Sequence, residues 1–323
     1  MKPPFSIVVV VYNGLPFLEP LIKSLAAQTL HPAELIVVDN LSADGSRELL
    51  PSLLSSLPFP TRLLFENCNR GYCAAANRGL REAPGEFVLL LNQDTRLDKN
   101  FCRAALEGFA DHPRIGMVSG RILRFDGTTV DSLGQYLSRS LYPKERGYNA
   151  PWGSLKEDWR EIFSVCGAVA FYRREMLQEI AFQGEYLDED FFMFFDDIDL
   201  GWRAQRRGWK ARYAPEAIAF HSRSGTLSPG KKVGLFFRRP LELRYHLVKN
   251  RYLTLLKNAS RREVFKALPF LLLRDLPLLF TLLSHPSQGW RLWKERSLFK
   301  RAFLKRRHHG YQRDLHRSLL LRS

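Results

Sequence analysis

The sequence has no long uninterrupted apolar run. Near its start the apolar stretch 7–11 is too short for a secretory core or a membrane span. The stretch 267–283 is interrupted by Arg274, Asp275 and Pro277, and so is a poor span. Cysteine is scarce: Cys68, Cys73, Cys102 and Cys166 show neither a CxxC pair nor zinc-type spacing. They read as small buried residues in a reducing compartment, which places this half of the chain in the cytosol. The strand-rich first half contains no GxGxxG and no GxxxxGK[ST]; its first strand-to-helix turn is Tyr12-Asn13-Gly14, which supports neither a dinucleotide fold nor a P-loop. Acidic residues are in deficit, 33 against 49 Lys and Arg, for a net charge of +16. That excess draws the molecule toward polyanions: nucleic acid, an anionic membrane surface or phosphate-bearing substrates. Much of it lies from Lys231 onward.

What is present is ordinary globular material, 45% hydrophobic and 25% charged over 323 residues. The length suits one large α/β domain with an appendage, or two small domains. A β-branched run at 7–11 is broken by Tyr12-Asn13-Gly14, and helical spacing follows over 15–27. A second strand at 35–38 leads into Asp39, Asn40, Leu41 and Ser42, with Asp44 placed to cap a helix. A third strand at 61–65 and the turn 69–71 precede an Ala-rich helix over 72–81, and a fourth strand at 87–91 runs into Asn92, Gln93 and Asp94. Four strand–helix alternations predict a largely parallel sheet with right-handed crossovers. Beyond it come a helix, a strand at 115–119, an irregular segment 121–159 and a patterned stretch 163–172. A short helix over 173–180, the apolar run 191–195 and a helix over 200–207 ended by Gly208 follow; then comes an extended segment 209–220 ending in His221, and a basic loop from Ser222 to Lys232.

Several residues stand where chemistry is done. Asp94 sits at the carboxyl end of a buried strand, where a hard divalent ion can bridge a diphosphate; the plain alternative is a turn. Asp196, Asp197 and Asp199 follow an apolar run that can deliver a carboxylate into a dehydrated pocket as a general base, or they simply cap a helix. A lone base without a nucleophilic partner suits a single displacement. His221 is either a metal ligand or a structural histidine. Arg223, Lys231 and Lys232 either fold over a diphosphate or form a solvated loop. Asp39 either accepts from a nucleobase imide or makes an Asx-turn. Gly71 and Asn77 lie at a third strand end and on the helix after it.

Taken in this order, the segments 7–14, 36–45, 69–79, 87–95 and 188–221 resemble the inverting GT-A glycosyltransferases of family 2, in particular a bacterial rhamnosyltransferase-like branch. The resemblance implies a GT-A fold, α/β with a mostly parallel sheet flanked by helices. It implies a catalytic domain over 1–235, with a nucleotide-sugar half over 1–120 and an acceptor half over 121–235. It also implies that Asp39 holds the uracil or thymine, that Tyr12, Asn13, Arg70, Gly71, Asn77, Asn92 and Gln93 line the nucleotide site, that Asp94 and His221 hold Mn²⁺ or Mg²⁺, and that Asp197 deprotonates the acceptor hydroxyl. Asn92 stands where many members carry the first Asp of their DXD motif; its amide oxygen reaches a metal but adds no charge. By the same likeness the donor is a nucleotide-sugar, dTDP-rhamnose first. The acceptor is a glycan or lipid-linked hydroxyl of bacterial surface polysaccharide synthesis.

The remaining residues, 236–323, read as a helical basic extension, with an interfacial amphipathic hairpin over 267–283. Lys249, Arg251, Arg261, Arg262, Lys294, Lys300, Arg301, Lys305, Arg306 and Arg307 lie around it. The expectation is peripheral attachment to the inner face of the plasma membrane; the alternative is a helical subdomain with solvated charges. Two other classes compete. A nucleotidyltransferase acting on sugar phosphates lacks the Gly-rich, Lys-bearing loop it needs, and a nucleic-acid-binding protein lacks a recognisable module, so no nucleic-acid partner is expected.

Overall fold

The structure is a computed structural model and describes residues 5–157, 159–223 and 240–309. Lys231 and Lys232 lie outside the described residues. The first strands form because β-branched and aliphatic residues run unbroken and are buried on both faces: β1 (Phe5–Val11), β2 (Leu35–Asp39) and β4 (Phe87–Asn92), with the edge strand β3 (Thr61–Phe65) outside β2. Helices α1 (Leu15–Ala26), α2 (Ser46–Ser55) and α3 (Tyr72–Glu82) make the crossovers. α1 buries Leu18, Leu21, Ile22 and Leu25, a single apolar stripe. α3 lies close on the sheet because it is built of alanine and glycine; a Cβ on Gly79 would stand 2.5 Å from Val8 Cγ1. Asp44 sits one residue before the helix cap rather than at it: Gly45 is the cap, and Asp44 accepts from the backbone N–H groups of Ser46 and Leu15.

The second half is mixed. It contains β5 (Thr95–Leu97), α4 (Phe101–Glu107), β6 (Ile115–Arg124), β7 (Val130–Ser132), β8 (Gln135–Leu137), β9 (Pro143–Glu145), β10 (Glu161–Ile162), β11 (Val169–Arg173), α5 (Arg174–Ile180), α6 (Asp196–Arg206) and β12 (Lys210–His221). The sheet runs in the order β10-β12-β6-β11-β4-β1-β2-β3, with β5 on β12 and β7 on β6. Strands β3, β2, β1 and β4 are parallel; β11 lies antiparallel between β4 and β6.

Several expectations need correction. Residues 121–159 are irregular only in part: β6 runs on to Arg124, and β7 and the β8–β9 hairpin follow, each too short for a two-residue period to register, while the described residues of this stretch after Glu145 have no helix or strand. In the stretch 163–172 only the part from Val169 is strand. α6 begins at Asp196, before the expected 200, so the acidic trio lies inside its first turn. β12 is one strand whose register breaks between Ala214 and Ile218. Cys68 is exposed, while the other three cysteines are buried.

The C-terminal part forms α7 (Leu241–Asn258), α8 (Arg261–Ser284), α9 (Pro286–Lys294) and α10 (Arg296–His309). α8 starts at a capping box between Ser260 and Glu263 and continues across Pro269 and Pro277, so the expected hairpin over 267–283 is a single helix. These helices are fastened by buried charge. Lys257 pairs with Asp188 and, at 2.9 Å, with Asp199; Lys305 pairs with Asp188 and Glu185; Arg206 pairs with Glu263; and Arg251 donates to the carbonyls of Ser140 and Leu141 at 2.7 Å. Leu253, Ala259, Ala267, Leu271 and Ala302 join the same apolar cluster as the sheet. Part of the basic set therefore does not face outward: Lys249, Arg251 and Lys305 are buried, and Arg306 donates to the carbonyls of Leu256 and Ala259 at the end of α7, while the exposed Arg301 pairs with Asp190.

Candidate active site

The carboxyl ends of β1, β2 and β4 open onto one cleft of about 470 Å³, at the position where open α/β sheets bind ligands. One wall carries Tyr12, Asn40, Asn69 and Gly71. The floor carries Asn92, Gln93 and Asp94, and the far wall carries Glu145, Gly167, Phe192–Phe195, Asp196, Asp197, His221 and Arg223. Gly71 has φ +90°, and a Cβ there would strike the Phe192 ring at 2.5 Å, so the turn into α3 admits no side chain. Gln93 is engaged structurally: its amide exchanges hydrogen bonds with the backbone of Tyr12 at 2.9 and 3.0 Å and ties β1 to β4.

Asp94 and His221 face each other, Oδ1 to Nε2, at 3.3 Å. The other ring nitrogen of His221 bonds Asp131 at 2.8 Å, and Arg223 also pairs with Asp131, a fully buried carboxylate. Burial opposes a charge on His221, but the bonds and charges of Asp131 and Asp94 prevail and push it up to about 9. Burial likewise works against charge on Asp131, yet His221 and Arg223 hold its carboxyl below the ordinary range. Asp131 thus fixes the ring and aims Nε2 at Asp94, as a carboxylate behind a ligating histidine does. Among the described residues no group of three or more His, Cys, Asp or Glu side chains is arranged to hold a metal. An oxygen/imidazole pair fits a divalent cation that takes its remaining ligands from a diphosphate and water.

Across the cleft, Asp197 is held from three sides. Its Oδ2 accepts from Gly167 N at 2.9 Å and Gln135 Nε2 at 2.7 Å, and its Oδ1 accepts from Ile198 N at 2.7 Å. Burial raises its pKa against these donors. Its neighbour Asp196 is pushed up to about 8 by burial and by the charge of Asp197. Asp199 belongs elsewhere: it pairs with Arg203 and Lys257 and accepts from Asn258. The trio therefore divides into two cleft residues and one structural one.

Four expected nucleotide-site residues stand outside the cleft lining. Asp39 is fully buried beneath it, accepting from Ser42 N at 3.3 Å and pairing with Arg47 at 3.5 Å, the turn arrangement. Asn13 braces the following loop through Ala43 N. Arg70 points to solvent and pairs with Glu189 at 3.0 Å. Asn77 is buried, its amide saturated by the backbone of Tyr186 and Leu187 and by Glu189, so it fastens residues 186–189 to α3. Tyr12, Gly71, Asn92, Gln93, Asp94, Asp197 and His221 do meet in the cleft. Asn40, Asn69 and Glu145 are additions; the first two adjoin Asp39 and Arg70, while nothing in the sequence marked Glu145. Buried in the wall without a partner among the described residues are Asn40 Oδ1 and Tyr72 Oη, polar atoms of the kind a bound ligand satisfies.

A nucleotide-sized cleft at the strand ends of such a sheet, with Asp94 and His221 on one side and the buried Asp197 carboxylate on the other, is the arrangement of a glycosyltransferase of the GT-A class. The glycosyl transferase family 2 model matches residues 6–181, and the chain belongs to that family. This membership displaces the nucleotidyltransferase and nucleic-acid-binding alternatives. The chain is similar to the N-acetylglucosaminyl-diphospho-decaprenol L-rhamnosyltransferase of Mycobacterium tuberculosis, 26% identical over 245 residues, covering 68% of this chain and 76% of the relative. It is also similar to the poly-β-1,6-N-acetyl-D-glucosamine synthase of Staphylococcus aureus, 23% identical over 65% of this chain and 47% of that one. The fold matches a mannosyltransferase from Pyrobaculum calidifontis solved with GDP-Man and Mn²⁺, with TM-score 0.54 and 20% identity over 95% of this chain and 87% of that one. It matches S. aureus TarS 1–349 in complex with UDP-GlcNAc with TM-score 0.56 and 18% identity over 97% and 93%.

Proposed function

We propose that this glycosyltransferase takes its sugar from a nucleotide-sugar and, with inversion, passes it to a hydroxyl of a lipid-linked glycan acceptor at an anionic membrane surface. The observation that carries this is the placement of the Asp94–His221 pair and the Asp197 carboxylate in one cleft. A divalent cation, Mn²⁺ or Mg²⁺, would be held by Asp94 and His221 and would neutralise the departing diphosphate. Asn92 lies beside them as a neutral oxygen donor. Asp197 accepts the proton of the acceptor hydroxyl, and Oδ1, which carries the single Ile198 N–H, is the oxygen with room for it. No second carboxylate is needed as a nucleophile, because a single displacement requires only the base.

For the donor we propose dTDP-rhamnose, with the similarity to the mycobacterial L-rhamnosyltransferase as support. The same relative's name supports a sugar-diphospho-polyprenol acceptor and a role in cell-surface polysaccharide synthesis. The test is a thermal-shift screen of nucleotide-sugars with and without Mn²⁺, repeated on Asp94→Ala. Stabilisation by dTDP-rhamnose that needs Mn²⁺ and disappears in the variant is the expected result. Stabilisation by another donor alone would overturn the sugar assignment, and no response to any donor or free diphosphate would overturn the reading.

A further inference from the structure

The β8–β9 hairpin has no place in the mechanism so far, yet it reaches the base. Gln135 and Glu145 are direct cross-strand partners, so their side chains share one face. The Gln135 amide spends one N–H on Glu145 Oε1 at 2.9 Å and the other on Asp197 Oδ2 at 2.7 Å. One NH₂ group therefore spans two carboxylates. Its orientation is set by them, since the flipped amide would bring its carbonyl oxygen against both. Glu145 is itself held by Ser132 Oγ at 2.5 Å and lines the cleft.

We propose that Glu145 is a positioning residue for the base: through Gln135 it clamps Asp197 Oδ2, leaving Oδ1 to meet the acceptor hydroxyl, and its negative charge strengthens Asp197 as a proton acceptor. This rests on the role given to Asp197 above. The other groups facing the pair are Asp196 on α6, Arg223 after β12, the phenols of Tyr72 and Tyr172, and the Cys166 thiol. Burial pushes the phenols and the thiol well up, so they stay uncharged. Burial also raises Glu145 itself to about 7, so its charge grows in over the pH range in which such a base works.

The test uses two near-isosteric variants of the full chain, Glu145→Gln and Gln135→Met. The former keeps an acceptor for Gln135 and removes the charge; the latter removes the donor from Asp197 and keeps the volume. With dTDP-rhamnose and an alkyl N-acetylglucosaminyl diphosphate as probes, kcat should fall about tenfold in both, with the donor KM within about twofold. The acid limb of the kcat profile should move down by about one pH unit in Glu145→Gln and up in Gln135→Met. Limbs that stay in place, or move together, overturn the proposal. If the wild type does not turn these probes over, the donor and acceptor assignment fails, and the inference is read without ligand. The pH dependence of the melting-temperature difference between wild type and Asp197→Asn reports the titration of Asp197, and its midpoint must fall when Glu145→Gln is the background. An unmoved midpoint overturns the inference on its own.

Discussion

Asp196 and Asp197 stand side by side at the start of α6; burial makes both hold protons above the ordinary carboxylate range, and for Asp196 the charge of Asp197 adds to it. Two buried neighbours of like charge titrate as a pair, and only one of them is braced by three hydrogen bonds. The braced one, Asp197, is the proposed base, and on that reading Asp197→Asn should lower transfer by about 10²- to 10⁴-fold while donor-induced stabilisation is unchanged. Loss of donor binding in that variant would place Asp197 in the nucleotide site instead. For Asp196, a folded-state pKa raised to about 8 stabilises the protein fully at low pH, and that stability is lost as pH rises through about 8. Every tenfold change in proton affinity between the folded and unfolded chain is worth at most about 1.4 kcal/mol. Asp196→Asn has no charge to bury, so its melting temperature should overtake that of the wild type as pH rises from about 5 to 9. Parallel melting curves across that range would show that Asp196 ionises as freely in the folded chain as in the unfolded one.

At the scale of elements, the cleft wall over 192–195 is made of strained chain. Phe192, Phe194 and Phe195 all have φ near +67°, a conformation that costs non-glycine residues about 1–2 kcal/mol each. Helix α7 holds them there: Asn250 Nδ2 donates to the carbonyls of Phe191, Met193 and Phe194 at 3.0, 2.6 and 3.0 Å, and Lys249 donates to Asp190 O at 2.6 Å. Asn250→Ala should destabilise the protein by about 1–3 kcal/mol, through buried carbonyls left unpaired, and should cost activity beyond what the stability loss explains. Denaturant unfolding and steady-state rates on the same preparation check both; unchanged kinetics would separate α7 from the site. This dependence was invisible in the sequence, and the reason is physical. α7 buries His246, Lys249, Asn250, Arg251, Lys257 and Asn258, so it has no apolar stripe to read. The parallel strands were legible because an unbroken β-branched run admits few other fates, and their carboxyl ends delivered Asp94 and, through the later strand, His221. Asp39 and Asn77 show the limit. Sequence order put them at strand and helix ends near the cleft, but only the packing shows that one side chain turns beneath the floor and the other ties down a loop.

Across the whole molecule, the basic residues divide into those that bind the C-terminal helices to the core and those left on the surface. Arg261, Arg262, Lys266, Arg274, Lys294, Arg296, Lys300 and Arg307 are exposed. The same helices also expose apolar residues: Phe265, Leu272, Leu273, Leu276 and Phe280 of α8, the stacked pair Trp290 and Trp293 of α9, and Phe303 and Leu304 of α10. Phe265 is 78% exposed and Leu273 74%, far more than an isolated surface apolar residue needs to explain. Among the described residues no helix is long and apolar enough to cross a membrane. Paired tryptophans ringed by cations are the composition of a headgroup-level contact, where the rings sit at the interface and each cation adds about 1 kcal/mol against an anionic leaflet. Buried ion pairs then join this face rigidly to the loop that walls the cleft, so docking would present the site to a lipid-linked acceptor. The chain should float with vesicles containing about 30% anionic lipid. Binding should weaken as salt shortens the reach of the charges, and Trp290→Ala with Trp293→Ala should reduce it about tenfold or more through lost apolar burial. A chain that stays at the bottom of the gradient with such vesicles at low salt would refute membrane docking. If the double variant instead converts a sedimenting dimer to a monomer, the face is covered by a second copy of the chain.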